Sequence, residues 1–182
     1  MIVIVGESAC GKSTVEKVLV DHYRLKKVTS YTTRPPREGE IDGVDYYFIT
    51  YDEFLGMKDE FVEIGAYRGW FYGTKEEQYS EDSVAVVTPH GLRSLRKNLK
   101  TIPFTSFYIK VSRKNRLIKM LMRGTDDDVE ECCRRSSSDV GMFDGIEDEV
   151  DFVIKNKKYK LTPFEVAKKI YLQSGGEPDF DK

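Results

Sequence analysis

The chain opens with M1-I-V-I-V5-G6-E-S-A-C-G-K-S-T14, in which an apolar run leads into two glycines, a lysine and two hydroxyl residues. Met1–Val5 is short, continuous and rich in β-branched residues, which predicts a buried strand. Ser13–Tyr23 carries apolar residues along one face, which predicts a helix. Between them, Gly6-x-x-x-x-Gly11-Lys12-Ser13 matches the phosphate-loop pattern in the strand–loop–helix context that the pattern requires. The stretch predicts a binding site for a nucleoside triphosphate.

The residue types of this loop suit a polyphosphate. Glycines allow successive N–H groups to face phosphate oxygens, and the helix that follows adds partial positive charge at its N-terminus. Lys12 would reach the β- and γ-phosphates, and the Ser13 hydroxyl would be a ligand of Mg²⁺. Glu7 is unusual, because a carboxylate opposes anion binding unless it points away, and Cys10 is interpreted as a small loop residue rather than a nucleophile. The predicted ATP-binding residues of the loop are Gly6, Glu7, Ser8, Ala9, Cys10, Gly11, Lys12, Ser13 and Thr14.

Composition bounds the class of protein. The 182 residues carry a formal charge of −2, with 40% apolar and 33% charged residues, an ordinary balance for one compact soluble unit. This balance gives no reason to expect binding to a nucleic-acid polymer. No apolar run approaches the roughly 20 residues that span a bilayer, and no basic segment precedes the apolar start, so we expect neither a membrane span nor a signal peptide. A monomer and a homodimer both remain open.

The cysteines and histidines carry little functional signal. Cys10, Cys132 and Cys133 are odd in number and lack metal-ligand spacing, which favours free thiols in a reduced, cytoplasmic protein. His22 and His90 have no partners in sequence, so we expect structural or solvated roles for both.

Strands alternate with helices along most of the chain, which predicts an α/β fold with a parallel sheet covered on both faces. Predicted core strands after the first are Lys26–Thr29, Val84–Thr88, Phe107–Val111 and Phe152–Lys155; predicted helices are Leu92–Asn98, Arg113–Arg123, Asp127–Ser136 and Pro163–Gln173. Between Ser30 and Glu77, aromatic and β-branched residues alternate with polar ones and are broken by glycines. This pattern predicts a small antiparallel or mixed sheet inserted into the core.

The predicted division is a three-layer core at about 1–29, 78–112 and 138–173, an inserted sheet at about 30–77, and a polar helical insertion at about 113–137. The tail, residues 174–182, is polar with two glycines and a proline, and we expect it to be flexible. All parts belong to one domain.

Arg34 and Arg37 lie three residues apart around a Pro-Pro pair that restricts the backbone. Two fixed guanidiniums with nearby hydroxyls and Tyr46 form a suitable cradle for a phosphate monoester, because arginine binds phosphate in a bidentate manner. Taken alone, the same residues also fit a solvated turn with surface arginines.

The stretch from Thr29 to Phe48, TSYTTRPPREGEIDGVDYYF, closely resembles the signature of the guanylate kinase family, which transfers the γ-phosphoryl group of ATP to GMP. A second block, EFVEIGAYRGWFYGT from Glu60 to Thr74, is similar to that family's other GMP-binding segment. The resemblance implies a P-loop kinase fold with a mixed-sheet monophosphate-binding region and a lid, and Mg²⁺ with ATP. Residues implied to hold the phosphate of GMP or dGMP are Arg34, Arg37, Tyr46 and Tyr72. Residues implied to read guanine are Ser30, Glu63 and Thr74.

The polar insertion around Arg123 resembles the family's lid. Arg123 and Arg134 match arginines that close over ATP, and Arg135 can substitute for Arg134 because the helical register is uncertain by one residue. Together with Lys12 and Arg34, these arginines are the implied catalytic residues, since phosphoryl transfer depends on positioning and charge neutralisation. Asn156 resembles a residue near the adenine of ATP.

The chain departs from the family pattern in one strand. The family usually has two aspartates two positions apart before a glycine, one near the metal and one helping to read guanine. Aligned on Gly91, these positions are Val86 and Thr88. Three consequences are open: Mg²⁺ rests on Ser13, ATP oxygens and water, Thr88 alters base selection, or catalysis is poor. A shifted alignment would instead enlist Asp82 or Asp45.

Three alternatives to a guanylate kinase follow from these features. The first is a kinase for another (deoxy)nucleoside monophosphate, motivated by Val86 and Thr88. The second is a non-catalytic guanylate-kinase-like module that binds protein partners, which the intact phosphate loop and the lack of accompanying interaction domains disfavour. The third is a generic P-loop ATPase, which the Arg34/Arg37 cradle disfavours.

Overall fold

A computed structural model describes residues 1–67, 69–122 and 129–177. Its larger sheet contains β1 (Ile2–Val5), β2 (Lys26–Lys27), β7 (Ser83–Val86), β8 (Thr105–Lys110) and β9 (Phe152–Lys155). Its smaller sheet contains β3 (Tyr31–Thr32), β4 (Tyr47–Phe48), β5 (Phe61–Tyr67) and β6 (Trp70–Lys75). The helices are α1 (Lys12–Asp21), α2 (Tyr51–Gly56), α3 (Pro89–Asn98), α4 (Arg113–Leu121), α5 (Val129–Ser138), α6 (Ile146–Glu149) and α7 (Pro163–Gln173). Short 3₁₀ helices cover Lys58–Glu60 and Glu76–Gln78.

The larger sheet has the order β2-β7-β1-β8-β9, and every neighbouring pair is parallel. Ile2 and Ile4 point to one face, where they pack with residues of α1 and α7, while Val3 and Val5 point to the other and pack with α3. Because both faces are covered, β1 is apolar at every position rather than alternating. The predicted three-layer parallel core is confirmed.

The smaller sheet has the order β4-β3-β6-β5 and is mixed, since β3 and β4 are parallel while the other pairs are antiparallel. Its predicted mixed character is confirmed. The sequence prediction missed α2 within this region. Thr50 forms a capping box with Glu53, which begins a helix inside a segment that composition alone had marked as strand-rich.

Several predicted boundaries were wrong by a few residues. β2 contains only Lys26–Lys27 instead of Lys26–Thr29, and β7 ends at Val86 because Thr88 caps α3. The helix predicted at Asp127–Ser136 is observed as Val129–Ser138, and part of the prediction lies outside the described residues. The short α6 was not predicted. Residues 178–182 of the tail also lie outside the described residues. No described helix is long and apolar enough to cross a membrane.

Candidate active site

The phosphate loop connects β1 to α1 at the carboxyl end of the parallel sheet. Gly11 has a φ of 105°, a left-handed conformation that glycine adopts without steric cost, and it is the N-cap of α1. The Lys12 ammonium folds back over the loop and donates to the Gly6 carbonyl at 2.5 Å and to the Glu7 carbonyl at 3.0 Å. Ser13 is exposed on the first turn of the helix. A cation at a helix N-terminus is suited to binding anionic phosphates. When phosphate binds, Lys12 would donate to its oxygens instead of to the two carbonyls.

The unusual Glu7 points away from the phosphate side of the loop. Its carboxylate pairs with Arg116 of α4 at 3.2 Å, and the same guanidinium pairs with Asp139 at 3.0 Å. Arg116 is only 5% exposed, so one buried cation lies between two carboxylates. This pairing offsets the repulsion that Glu7 would otherwise exert on a bound anion. Arg116 and Asp139 were not predicted from sequence, because nothing local to either residue links it to the loop.

Asp139 also anchors the loop directly. Its carboxylate accepts from the Ser8 N–H at 2.9 Å and from the Ser8 hydroxyl at 3.1 Å. Tyr67, at the end of β5, donates its hydroxyl to Asp139 at 3.0 Å and lies 2.7 Å from the Ser8 hydroxyl oxygen. The smaller sheet therefore reaches the phosphate loop through a hydrogen-bonded cluster of Ser8, Tyr67 and Asp139.

Cys10 packs in the core beneath the loop and is 3% exposed. Burial raises the pKa of its thiol, so the group stays protonated at neutral pH. This environment agrees with the interpretation of Cys10 as a packing residue.

The three predicted guanine-reading residues lie together. The Thr74 hydroxyl donates to Glu63 Oε2 at 3.1 Å, and the Ser30 hydroxyl oxygen is 2.8 Å from that of Thr74. Because Thr74 donates its single proton to Glu63, the Ser30 hydroxyl must donate to Thr74. Glu63 is 3% exposed, and burial raises the pKa of its carboxyl to about 7.

Thr88 adjoins this cluster. Its hydroxyl oxygen accepts from the Gly91 N–H at 3.1 Å and so caps α3, which leaves its O–H free to donate. Glu63 approaches Gly91 so closely that a Cβ at position 91 would collide with its carboxylate. The alternative alignment through Asp82 does not fit, because Asp82 precedes β7 at the opposite end of the sheet and pairs with Lys26 at 3.1 Å.

Residues of the predicted phosphate cradle lie on the smaller sheet and in the loop before β4. The Arg34 guanidinium lies over the rings of Tyr46 and Phe48, 5.3 and 5.7 Å from their centroids. The Tyr46 and Tyr72 rings meet edge to face at 5.9 Å. Burial raises the pKa of Tyr46 to about 12, so its phenol remains a hydrogen-bond donor at neutral pH. Arg34 is paired with Glu40, a carboxylate that the sequence prediction did not include.

The lid arginines are only partly placed. Arg123 lies outside the described residues. Arg134 is exposed on α5, whereas its neighbour Arg135 is half-buried. Burial lowers the pKa of Arg37, and the charges of Arg34 and Arg135 lower it further, which puts Arg135 close to the cradle. The charge of Arg135 therefore acts on Arg37, whereas Arg134 is exposed to solvent.

Asn156 follows β9 and is 5% exposed. Its amide donates to the Leu161 carbonyl at 3.0 Å and accepts from the Leu161 N–H at 3.0 Å. Both polar groups of the side chain are thus used to brace the loop between β9 and α7, and the geometry gives Asn156 a structural role.

Glu16 of α1 is a further, partly buried acid near the phosphate loop that the sequence analysis did not single out. It lies one helical turn after Lys12, and burial raises the pKa of its carboxyl to about 7 against the opposing effects of Lys27 and Lys12. Asp45, the other acid considered for the metal, pairs instead with Lys27 at 3.5 Å. Among the described residues, no group of three or more acidic, histidine or cysteine side chains forms a metal cluster.

These features define a class of protein. A phosphate loop at the end of a parallel sheet, facing an arginine cradle on an inserted mixed sheet, is the arrangement of a P-loop nucleoside monophosphate kinase.

Comparison with known proteins narrows the class. The profile of the family described as guanylate kinase matches residues 1–170. The chain is 33% identical over 178 residues to the guanylate kinase of Prochlorococcus marinus, covering 93% of this chain and 96% of that protein. It is 32% identical over 170 residues to the guanylate kinase of Bifidobacterium longum, covering 86% of each. A crystal structure of guanylate kinase from Anaplasma phagocytophilum, 23% identical, covers 95% of this chain and 86% of its own with a TM-score of 0.65 and shows the shared fold. The chain belongs to the guanylate kinase family, and the function predicted from sequence is confirmed at that level.

Proposed function

We propose that the chain transfers the γ-phosphoryl group of ATP directly to GMP or dGMP, without a covalent enzyme intermediate. The observation that carries this proposal is the Tyr67–Ser8 contact, which joins the acceptor sheet to the donor loop at 2.7 Å. Glu63 and Tyr67 are four residues apart on β5, or about 13 Å. A nucleotide whose base is read by Glu63 would therefore extend its phosphate along β5 toward the loop that holds ATP.

On the donor side, the loop amides and Lys12 would bind the ATP phosphates. The protein's donor set fits Mg²⁺ that keeps most of its ligands from water and phosphate, because the Ser13 hydroxyl is the one predicted protein ligand and no acidic cluster occurs among the described residues. Ser13 would hold the ion, which would neutralise charge on the transferring group. Arg135, with Arg123, would add positive charge as the lid closes.

On the acceptor side, the cradle would hold the monophosphate and Glu63 would read the base. The ionised Glu63 carboxylate accepts hydrogen bonds, and guanine offers N1–H and N2–H donors where adenine offers neither. Thr74 and Ser30 orient Glu63 through the hydrogen-bond chain described above. Residues proposed to hold the phosphate are Arg34, Arg37, Tyr46 and Tyr72.

Thr88 supports a second candidate, a kinase for another (deoxy)nucleoside monophosphate. Its hydroxyl oxygen already accepts from Gly91, so its remaining capacity is that of a donor. A hydroxyl donor beside the Glu63 carboxylate presents a base with a different hydrogen-bonding pattern from two carboxylates, which only accept.

The test is ADP release from ATP and Mg²⁺ against GMP, dGMP, AMP, CMP, UMP and dTMP. Turnover confined to GMP and dGMP is expected, and turnover with another base would favour the second candidate. Lys12→Met serves as the inactive control. Arg37→Ala is expected to raise the KM for GMP far more than the KM for ATP, whereas equal effects on both would contradict the assigned cradle.

We also infer a cytoplasmic location, supported by three free cysteines of which Cys133 is exposed. The oligomeric state, monomer or homodimer, stays a prediction.

A further inference from the structure

Three non-glycine residues of the described chain have a positive φ: Ala9 at 61°, Arg24 at 61° and Tyr159 at 51°. Two of them are in direct contact although 150 residues separate them, because the Tyr159 hydroxyl donates to the Ala9 carbonyl at 2.6 Å. Such conformations are unfavourable for residues with a side chain, and they persist where the surroundings hold them, often at functional sites. This contact joins the phosphate loop to the loop between β9 and α7.

Ala9 occupies a turn position that favours a different residue. The Cys10 N–H donates to the Glu7 carbonyl at 3.2 Å, which closes a four-residue turn with Ala9 as its third member. A positive φ at that position favours glycine or asparagine, since a Cβ makes the conformation costly. The turn lies in the middle of the phosphate loop, so an alternative conformation of Ala9 would change the direction of the neighbouring peptide groups.

Tyr159 is itself held from several sides. Its N–H donates to the Asn156 carbonyl at 3.1 Å, and Asn156 is fixed by its paired bonds to Leu161. The ring packs against the core on the α7 side of the sheet. The Lys119 ammonium of α4 lies 4.1 Å from the ring centroid, a cation–π contact. The hydroxyl is therefore presented to Ala9 from a fixed ring.

We propose that Tyr159 is a positioning residue for ATP, whose hydroxyl holds Ala9 in the left-handed conformation required by the phosphate loop. The hydrogen bond from Tyr159 holds Ala9 at a positive φ, a conformation that glycine at position 9 would adopt without such a bond. The inference rests on the proposed binding of ATP at this loop but is independent of which acceptor is used.

The test measures equilibrium binding of ATP by titration calorimetry for the parent protein, Tyr159→Phe, Ala9→Gly and the double variant. Tyr159→Phe removes one hydroxyl and keeps the ring under Lys119. Loss of one net hydrogen bond predicts a Kd for ATP about fivefold higher, with the Kd for GMP within about twofold of the parent value. In the Ala9→Gly background, the same tyrosine change is expected to alter the Kd for ATP by less than about twofold, because glycine adopts the conformation unaided.

Tyr171→Phe is the matched control, since Tyr171 stacks on Tyr23 with centroids 4.2 Å apart and makes no contact assigned to the site. An unchanged Kd for ATP in Tyr159→Phe, or an increase of the same size in the Ala9→Gly background, would overturn the proposal. Equal weakening of ATP and GMP would do so as well, because it would indicate a general structural role. Normal ATP binding by the parent protein without turnover of GMP would contradict the proposed function and leave this test intact.

Discussion

Arg34 and Glu40 form an ion pair inside the proposed phosphate cradle, with Nη2 of the arginine 2.8 Å from Oε1 of the glutamate. The other oxygen of the same carboxylate accepts from the backbone N–H of Arg37 at 2.8 Å. One glutamate thus orients both cradle arginines, the first through its side chain and the second through its backbone. The Arg34 side chain is only 8% exposed, so the pair is well shielded from water.

Glu40→Ala is expected to raise the KM for GMP about tenfold, because the arginines lose their common partner and a bidentate phosphate contact depends on their orientation. The KM for ATP should change little. Unfolding in urea should show a loss of about 2 kcal/mol, since a mostly buried guanidinium is left without its carboxylate. Glu40→Gln, which keeps the acceptor oxygen, is the control and should fall between the parent and Glu40→Ala in both measurements. A lower KM for GMP would mean that Glu40 competes with the phosphate instead of positioning the arginines.

The Glu63 carboxyl predicts a pH dependence of acceptor binding. Its pKa is raised to about 7 by burial, and only the ionised form accepts both N–H groups of guanine. We expect kcat/KM for GMP to rise with pH through an apparent pKa near 7 in the free enzyme. Glu63→Gln should abolish this rise and lower kcat/KM for GMP by about a hundredfold. A rising limb that persists in Glu63→Gln would assign the titration to another group.

The raised pKa of Glu63 also predicts that the protein becomes less stable as the pH rises. Between its unfolded pKa of 4.5 and its folded pKa of about 7, the native state binds the extra proton, so the free energy of unfolding decreases as pH increases across this window. The total loss is about 3 kcal/mol at most. Denaturant unfolding from pH 4.5 to 8 should show the slope in the parent and a weaker one in Glu63→Gln. Glu16 titrates in the same window, so Glu16→Gln measures its separate share.

The sequence predicted the parts of this protein in which local pattern and global fold agree. The apolar β1 strand, the glycine-bounded loop and the start of α1 carry their signals within the first 21 residues, and each was found close to its predicted place. The cluster of Ser30, Glu63 and Thr74 was predicted from two motifs, although Ser30 and Thr74 lie 44 residues apart in the chain. Its members meet because β6 is paired with both β3 and β5 in the smaller sheet, and Glu63 lies opposite Thr74.

Residues that act through long-range packing could not be predicted in this way. Asp139 is 131 residues from Ser8, and Tyr159 is 150 residues from Ala9, yet both hold the phosphate loop. Neither lies in a motif, and their contacts form only when the end of α5 and the loop between β9 and α7 fold against the phosphate loop. Arg134 and Arg135 differ by one helical position, about 100° around the axis, which sequence alone did not resolve.

Arg135 should matter more to turnover than Arg134. The charge of Arg135 acts on Arg37, which is proposed to hold the acceptor phosphate, whereas Arg134 is exposed. Arg135→Ala is expected to lower kcat with ATP and GMP by about a hundredfold or more, as expected for an arginine that stabilises charge in phosphoryl transfer. Arg134→Ala is the matched control and should show a far smaller loss. A larger loss of kcat in Arg134→Ala than in Arg135→Ala would instead favour Arg134, the residue predicted first from sequence.

Substitutions of Thr88 test what the chain gains or loses by lacking the aspartate that the family usually has at this position. Thr88→Ala should lower the free energy of unfolding by about 1 kcal/mol, because α3 loses its N-cap. Thr88→Asp should keep that stability, since aspartate is an equally good N-cap, while placing a second carboxylate beside Glu63.

Two neighbouring carboxylates disfavour ionisation of the buried one, so Thr88→Asp should move the rising limb of kcat/KM for GMP above its parental pH. The shift is measured in pH profiles of the parent, Thr88→Asp and Thr88→Asn, the last of which caps the helix without charge and should leave the limb near pH 7. An unmoved limb in Thr88→Asp would mean that position 88 is electrostatically remote from Glu63. A shifted limb would show that threonine at this position keeps the pKa of Glu63 lower than aspartate would, so that more of the carboxyl is ionised at neutral pH.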